Sequence, residues 1–396
     1  MTKRFLAAAG VSVIAVSAAA FAAAPPPPPI ATYWIDAATQ SGMGAGMMGG
    51  GRPSMSQMMG MMSGRAPQVG HTLYLHLGSR TKAAGEPSAE HLVPQSLGMG
   101  ASLPLVTPKR AEAARTPTGM PENFERPKGR MLIYWGCGEH VGPNQPTVID
   151  FAKLSAGQVP PQMAQMSRMA QSASGPRQGG PTTFGEWPNE RDGKAVPATG
   201  SLVGAHKVQG NYSPTIDFNL SQDFMPALGL REAGPLPSGA ARLTWQLAPT
   251  ATGYALGMFG AAQNGDVIMW SSSKSATMAA LYDYLSPAEV QRQINAGSVL
   301  APTISECLLP AEVSSAAPQG VITMIGYGPE ANFAEAPKAP KWVAKARFKT
   351  NASLMRGMGD MGAMNGDASP APPQPPARKK KKFGIGDVLR NAVPLP

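Results

Sequence analysis

The sequence predicts a mainly β fold: one or two antiparallel β-sandwich-like domains with short helical insertions, flanked by disordered N- and C-terminal tails. Between Val69 and Phe348, many short segments alternate apolar and polar side chains, which is the period of a half-buried strand. Turn signals rich in Gly, Pro and Asn separate these segments. The 45 Gly and 41 Pro residues are concentrated near the two ends, where the composition cannot form a packed core.

The first 22 residues have the pattern of a secretory signal peptide. Lys3 and Arg4 precede an apolar run from Phe5 to Ala20, and Ala20-Phe21-Ala22 has the small-x-small form of a cleavage site. A retained membrane anchor is the alternative, but the run is shorter than the ~18 apolar residues of a membrane span. We therefore expect a mature protein that is periplasmic or secreted.

Residues 23–68 are predicted as a Pro/Gly/Met-rich linker. Pro25–Pro29 favours polyproline II, a stiff spacer, and "IATYWID" is predicted as a short strand that docks onto the folded body. Methionine thioethers in this segment are soft ligands that suit Cu(I). Those in adjacent pairs are Met47, Met48, Met58, Met59, Met61 and Met62. We favour slack chain over a copper site, because the tract has no His or Cys and a similar Met/Gly patch lies near the other end.

Residues 69–234 form the first predicted β-rich domain. "HTLYLHLG" opens it with three leucines on one face and His76 on the opposite, solvent-facing side. The polar, proline-studded stretch 79–130 is predicted as a long loop, and "RMLIYWGCG" after it is a strong strand signal. Residues 159–174 have helical composition, and two further strands are expected around a turn at Gly210-Asn211.

Residues 240–349 form the second predicted β-rich domain. Leu243, Trp245 and Leu247 are expected on one face of a strand, and Asn264-Gly265 is a hairpin turn signal. Close, meandering strands of this kind favour an antiparallel sandwich.

One helix in this domain has clear end signals, in "LSPAEVQRQINAG". Ser286 is the expected N-cap, Pro287 takes the first helical position and Glu289 completes a capping box. Gly297 is expected to end the helix, and Val290 to pack against the sheet.

The stretch from Leu243 to Trp270 resembles the second and third strands of fibronectin type III-like domains. There, as here, a core tryptophan (Trp245) is followed by a loop and a strand led by Gly253-Tyr254. The resemblance implies a β-sandwich with a binding or spacer role, and no catalytic residue carries over from it. The chain as a whole is similar to exported proteins of Gram-negative bacteria.

The two cysteines, Cys137 and Cys307, are predicted to form a disulfide, because an extracytoplasmic compartment is oxidising. Two buried free thiols are the alternative. Cys137 lies in "WGCGEH", where Cys137, Glu139 and His140 offer metal-ligand types and a nucleophile with a base. We favour one half of a disulfide beside a turn, because His140 points to the opposite side of an extended chain from Cys137 and Glu139.

The other reactive residues form no recognisable site. The remaining histidines are far apart in the sequence and have no ligand spacing: His71, His76, His91 and His206. The chain has no phosphate-binding loop, no Gly-x-Ser-x-Gly elbow and no His-Glu-x-x-His motif. No cofactor is therefore predicted.

Residues 350–396 are predicted as a second Met/Gly/Pro-rich linker that ends in a basic tail. The formal net charge is +10, but seven positive charges belong to Lys3, Arg4 and the run Arg378, Lys379, Lys380, Lys381 and Lys382. The rest of the chain is nearly balanced, so no nucleic-acid partner is indicated. Apolar residues follow the basic run. The basic run and this apolar segment together predict contact with an anionic membrane or envelope surface, at ~1 kcal/mol per cation. A solubilising tail that binds nothing is the alternative.

Together these features predict an exported, non-enzymatic structural or binding protein of the cell envelope. Trp135, Trp245 and Trp270 are expected to be core or groove aromatics. One alternative is a periplasmic hydrolase-type enzyme, which a pocket gathering His140 or His206 with an acid would favour. The other is a methionine-based copper-handling protein.

Overall fold

The computed structural model describes residues 27–42, 69–108, 129–151, 175–279, 283–337 and 339–357. Within these ranges the chain forms sixteen strands and two helices, which confirms the predicted mainly β fold with short helical insertions. In chain order the elements are β1 Ala31–Gly42, β2 Val69–Ser79, β3 Ala89–Leu92, β4 Ser102–Leu105, β5 Arg130–Trp135, β6 Thr147–Asp150, β7 Thr183–Trp187, β8 Gly204–Gly210, β9 Ser213–Leu220, β10 Arg231–Pro235, β11 Ala241–Thr244, β12 Gly253–Ala261, β13 Val267–Ser271, α1 Pro287–Asn295, β14 Glu306–Leu309, α2 Ala311–Ala316, β15 Gly320–Ala334 and β16 Trp342–Arg356.

The strands form three sheets. A nine-stranded sheet has the order β6-β5-β13-β12-β15-β16-β1-β2-β7, a four-stranded sheet the order β4-β3-β8-β9, and a three-stranded sheet the order β10-β11-β14. Neighbouring strands are antiparallel, except that β1 runs parallel to β16 and β13 runs parallel to β5. In a mostly antiparallel sheet, one face can pack on the core while the other faces solvent.

One hydrophobic core joins the three sheets. Along β1, the side chains of Tyr33, Ile35 and Ala37 are at most 1% exposed, and they share a cluster with Leu103 of the four-stranded sheet and Leu243 of the three-stranded sheet. Each large apolar side chain buried in this way stabilises the fold by roughly 1.5–3 kcal/mol. The nine-stranded sheet therefore packs its inner face against both smaller sheets as a sandwich.

Strand β1 is an interior strand of the nine-stranded sheet. It pairs with β16 over its full length, from Ala31 opposite Trp342 to Gly42 opposite Ser353, and with β2 on its other side. The predicted strand in "IATYWID" is thus confirmed, and it lies within the segment 23–68 that composition marks as a linker. The same sheet takes strands from both segments that the sequence marks as β-rich.

Two local predictions are wrong. The stretch 79–130, predicted as a long loop, contains β3, β4 and a short 3-10 helix at Gln95–Leu97. Pro104 is tolerated because β4 is the edge strand of its sheet, where a missing N–H breaks no ladder. Leu247 does not share the buried face of Trp245, because β11 ends at Thr244 and leaves Leu247 47% exposed.

Helix α1 begins and ends where its sequence signals predict, but only the Ser286 half of the predicted capping box forms, because the Glu289 carboxylate accepts hydrogen bonds from Arg292 and Gln293. The Ser286 side chain accepts a hydrogen bond from the backbone N–H of Glu289 at 3.2 Å, and Gly297 has a left-handed φ of 73° just after the helix. Val290 is fully buried against the sheet, near Ile325 of β15. Neither helix in this described part of the chain is long and apolar enough to cross a membrane. The helix expected over 159–174 lies outside the described residues.

Candidate functional site

The outer face of the nine-stranded sheet carries a groove where β1 begins and β2 ends. The groove is shallow and open to solvent, with a volume of about 430 Å³. Thr32 and Trp34, which alternate with the core residues of β1, lie on its floor together with Gly78. One wall is the arm 28–30 that leads into β1, and the other is the loop 175–181.

Two glycines allow the loop wall to approach the sheet. A Cβ atom on Gly78 would lie 2.9 Å from Cβ of Pro176 and 3.1 Å from Cγ of Pro181, closer than side chains normally pack. A Cβ atom on Gly175 would lie 2.7 Å from Cε3 of Trp34. The proline wall can therefore lie this close to the sheet only because both positions are glycine.

Strand β16 places two cations over the ring of Trp34. The guanidinium carbon of Arg347 lies 4.4 Å from the centre of the indole ring, and the Lys345 Nζ atom lies 5.1 Å from it. In the parallel pairing, Trp34 is directly opposite Lys345. Cation–π contacts of this kind contribute about 0.5–2 kcal/mol each, the larger values where water is excluded. The groove thus has a preoriented aromatic floor.

A buried ion pair holds Arg347 in turn. Its Nε donates to Oδ1 of Asp36 and its Nη2 donates to Oδ2, both at 2.6 Å, and each side chain is less than 10% exposed. The guanidinium also lies 4.5 Å from the ring of Tyr284, in the segment before α1. Arg suits this position because its planar fork binds a carboxylate bidentately and still packs on aromatic rings.

Lys349 completes the contact between Tyr284 and the sheet. Its Nζ atom lies 4.1 Å from the Tyr284 ring, and it forms an ion pair with Asp283. Burial lowers the pKa of Lys349 to about 8, against an opposing effect of Asp36. Burial likewise raises the pKa of Tyr284 well above its ordinary value. Both groups serve to anchor the segment that leads into α1.

The charged residues around Trp34 and Tyr284 form a paired cluster. Its charges are matched, since Arg347 pairs with Asp36, Lys349 with Asp283 and Lys345 with Glu330. Because each cation already has its counter-charge, the cluster holds the Trp34 side chain without attracting a mobile ion. Sequence reasoning missed this site, although the alternation of aromatic and charged residues in "TYWID" and "VAKARFK" is a local signal for a functional outer face.

His76, predicted to face solvent, is half-buried next to this cluster. Its ring stacks on Phe184 of β7 with 6.1 Å between the ring centres. Burial lowers the pKa of His76, with an opposing effect of Asp36. The prediction of a solvent-facing side chain is therefore wrong, because β7 pairs with β2 and brings Phe184 alongside.

Two histidines that are distant in the sequence meet between the sheets. His91 Nε2 lies 2.9 Å from His206 Nδ1, Tyr33 Oη lies 2.8 Å from His91 Nδ1, and His206 Nε2 lies 2.7 Å from the carbonyl of Leu202. That carbonyl can only accept, so His206 must donate through Nε2, His91 donates through Nε2 and Tyr33 donates its hydroxyl. Burial lowers the pKa of both imidazoles and raises that of Tyr33. This neutral chain is a structural link between sheets.

The cluster "WGCGEH" is held by structural contacts. Cys137 and Cys307 form a disulfide, as predicted, which joins the end of β5 to β14 and leaves no thiolate for catalysis or metal binding. His140 Nδ1 lies 3.0 Å from Oε1 of Glu312, but both side chains are exposed, in a shallow depression beside α2. The Glu139 carbonyl accepts a hydrogen bond from Ala311.

Some predicted residues are placed elsewhere or fall outside the description. Trp245 and Trp270 are buried in the core, whereas Trp135 is partly exposed at the end of β5. The paired methionines of 47–62 and the basic run 378–382 lie outside the described residues. Within the ranges that the structure describes, no group of three or more His, Cys, Asp and Glu side chains is placed to hold a metal ion.

Comparison with models of known protein families, with curated protein sequences and with solved structures finds no match to this chain.

Proposed function

We propose that the chain is an exported, non-enzymatic binding protein of the cell envelope, and that the groove beside Trp34 is its binding site. The observation that carries this proposal is the fixed indole on the groove floor, supported by Arg347 and Lys345. A side chain that is already oriented loses little conformational entropy when a ligand arrives, so more of the contact energy appears as affinity.

Two features support export. Residues 1–22 have the charge, apolar run and cleavage pattern of a signal peptide. The disulfide between Cys137 and Cys307 is of a kind that persists in oxidising compartments such as the periplasm and is rare in the cytosol. The fibronectin-like stretch in the sequence is consistent with a binding role for the sandwich.

Expression of the full chain in a Gram-negative host, followed by fractionation and mass spectrometry, tests export. We expect a product that begins at Ala23, is found in the periplasm or the medium, and has no free thiol. A control chain with Ala20→Arg and Ala22→Arg removes the small residues of the cleavage site and is expected to keep its leader. A wild-type product that keeps residues 1–22 and carries two titratable thiols in the cytosol would contradict the proposal.

The basic tail is proposed to contact anionic lipid. At ~1 kcal/mol per cation, the run 378–382 should retain the protein on vesicles that contain anionic phospholipid at low salt, and release it as salt screens the charges. Replacing its five cations by Gln is expected to abolish this retention, with zwitterionic vesicles as the control. Equal retention of both proteins would contradict the proposed partner.

The two alternative functions are tested separately. Titration of the mature protein with Cu(I) is expected to show no uptake by the methionines of 47–62, and stoichiometric uptake would favour the copper-handling function. The His140–Glu312 pair is the observation that favours a hydrolase. We expect the wild type and His140→Ala to hydrolyse a p-nitrophenyl ester equally slowly.

A further inference from the structure

The groove beside Trp34 has one cationic hydrogen-bond donor, the Arg80 guanidinium, next to the rings of Trp34 and the wall prolines. Arg80 at its rim donates from Nη1 to the carbonyl of Pro28 at 3.1 Å, and this bond uses one of five guanidinium donors. The Ser79 hydroxyl donates to the backbone of Tyr212 on the core side. None of the described residues that line the groove is Asp or Glu. The side chains that line it therefore favour a ligand that accepts hydrogen bonds and presents apolar rings.

A polyproline segment has this chemistry. Proline has no backbone N–H, so a proline run offers only carbonyl acceptors, and in the polyproline II conformation these have no internal partners. Its rings pack on aromatic side chains, and the conformation is largely formed before binding, so little entropy is lost. The contact between Arg80 and Pro28 already shows the guanidinium holding a carbonyl of the chain's own proline run.

We propose that the groove binds a proline-rich segment of another polypeptide in the polyproline II conformation. The rings pack on Trp34 and between Pro29 and Pro176, and the carbonyls accept hydrogen bonds from Arg80. This inference rests on the proposed binding function and names its ligand class.

The test measures the fluorescence anisotropy of two labelled peptides with the mature protein: a run of ten prolines and a Gly-Ser peptide of equal length. We expect the proline peptide alone to bind. Its dissociation constant should rise about tenfold in Trp34→Ala and in Arg80→Met, which corresponds to about 1.4 kcal/mol for each lost contact. Arg191→Met, at an exposed arginine paired with Glu86 outside the groove, is the matched control and should bind as the wild type does.

The Arg80→Met variant separates a loss of binding from a loss of folding. Arg80 is exposed, whereas Trp34 also contacts the buried Arg347, so replacing Trp34 also removes a structural contact. Equal binding of the two peptides, or unchanged affinity in the Arg80→Met variant, would overturn the proposal. A full chain with its five prolines in 370–376 replaced by Ala tests self-occupancy and should bind the proline peptide as the wild type does. If only this variant binds the peptide, the chain's own segment occupies the groove, and the proposal of a separate partner is wrong.

Failure of this inference is distinct from failure of the proposed function. If the protein is processed and extracytoplasmic but does not bind the proline peptide, the proposed ligand class is wrong and the proposed function still holds. A chain that stays unprocessed in the cytosol would contradict the proposed function whatever the peptide does.

Discussion

Acidification is expected to destabilise this protein through the buried Tyr33–His91–His206 chain. Each imidazole in the chain uses Nδ1 as an acceptor and Nε2 as a donor. A proton added to Nδ1 of His206 opposes the Nε2–H of His91, and a proton added to Nδ1 of His91 forces the Tyr33 hydroxyl to turn from donor to acceptor. Burial lowers the pKa of His91 well below its ordinary value and lowers that of His206, so the fold favours the neutral form of both imidazoles.

The sign and size of the effect follow from proton linkage. The folded-state pKa values lie below the unfolded value of about 6.5, so the stability is complete above about pH 6.5 and is lost as the pH falls below it. Each proton bound only by the unfolded state costs about 1.4 kcal/mol per pH unit, so the two histidines together cost at most about 2.7 kcal/mol per pH unit. This is a large fraction of a stability of about 5–15 kcal/mol. Burial also lowers the pKa values of His71 and His76, which steepens the loss.

Urea unfolding followed by tryptophan fluorescence, from about pH 7.5 to about pH 5, measures this slope above the range in which most carboxylates titrate. His91→Gln is expected to reduce the slope by about 1.4 kcal/mol per pH unit. Leu247→Gln is the control, because Leu247 is 47% exposed and neither side chain titrates, so the slope should be unchanged. An unfolding free energy that is the same at both ends of the range, or equal changes of slope in the two variants, would refute the reasoning.

Three further predictions concern stability. Joint replacement of Cys137 and Cys307 by Ser should lower the unfolding free energy by up to about 5 kcal/mol for a loop of 170 residues; an unchanged urea midpoint would contradict this. Asp36→Asn should cost about 3–5 kcal/mol, because Arg347 stays buried without its counter-charge, and a loss below 1 kcal/mol would show that the pair is hydrated. Ser286→Ala should cost about 1 kcal/mol through the lost N-cap, whereas Ser286→Gly should cost only a few tenths, as differential scanning calorimetry can measure.

Local patterns in the sequence predicted local structure well. The alternation of Leu73, Leu75 and Leu77 predicted the buried face of β2, and the end signals at Ser286 and Gly297 predicted α1. These elements could be predicted because strand alternation and helix capping depend on residues only a few positions apart. The disulfide was predicted from residue type and compartment alone.

The pairing of strands that are distant in the sequence could not be predicted. Strand β1 pairs with β16, which lies about 300 positions away, and a single chain carries no local signal for such a partner. For the same reason the contact between His91 and His206, 115 residues apart, was missed. The groove was missed because its floor comes from β1 and β2, while its proline wall comes from the loop 175–181. Its nearest local signal was the aromatic and charged pattern around Trp34.

Hydrogen–deuterium exchange of the segment 31–42 tests most directly whether β1 joins both halves of the chain and forms the groove floor. We predict that its backbone amides exchange as slowly as those of its neighbour β16, because β1 is hydrogen-bonded on both sides. Exchange of 31–42 at the rate of a free peptide, with β16 still protected, would contradict the interior position of β1 and remove the groove that depends on it.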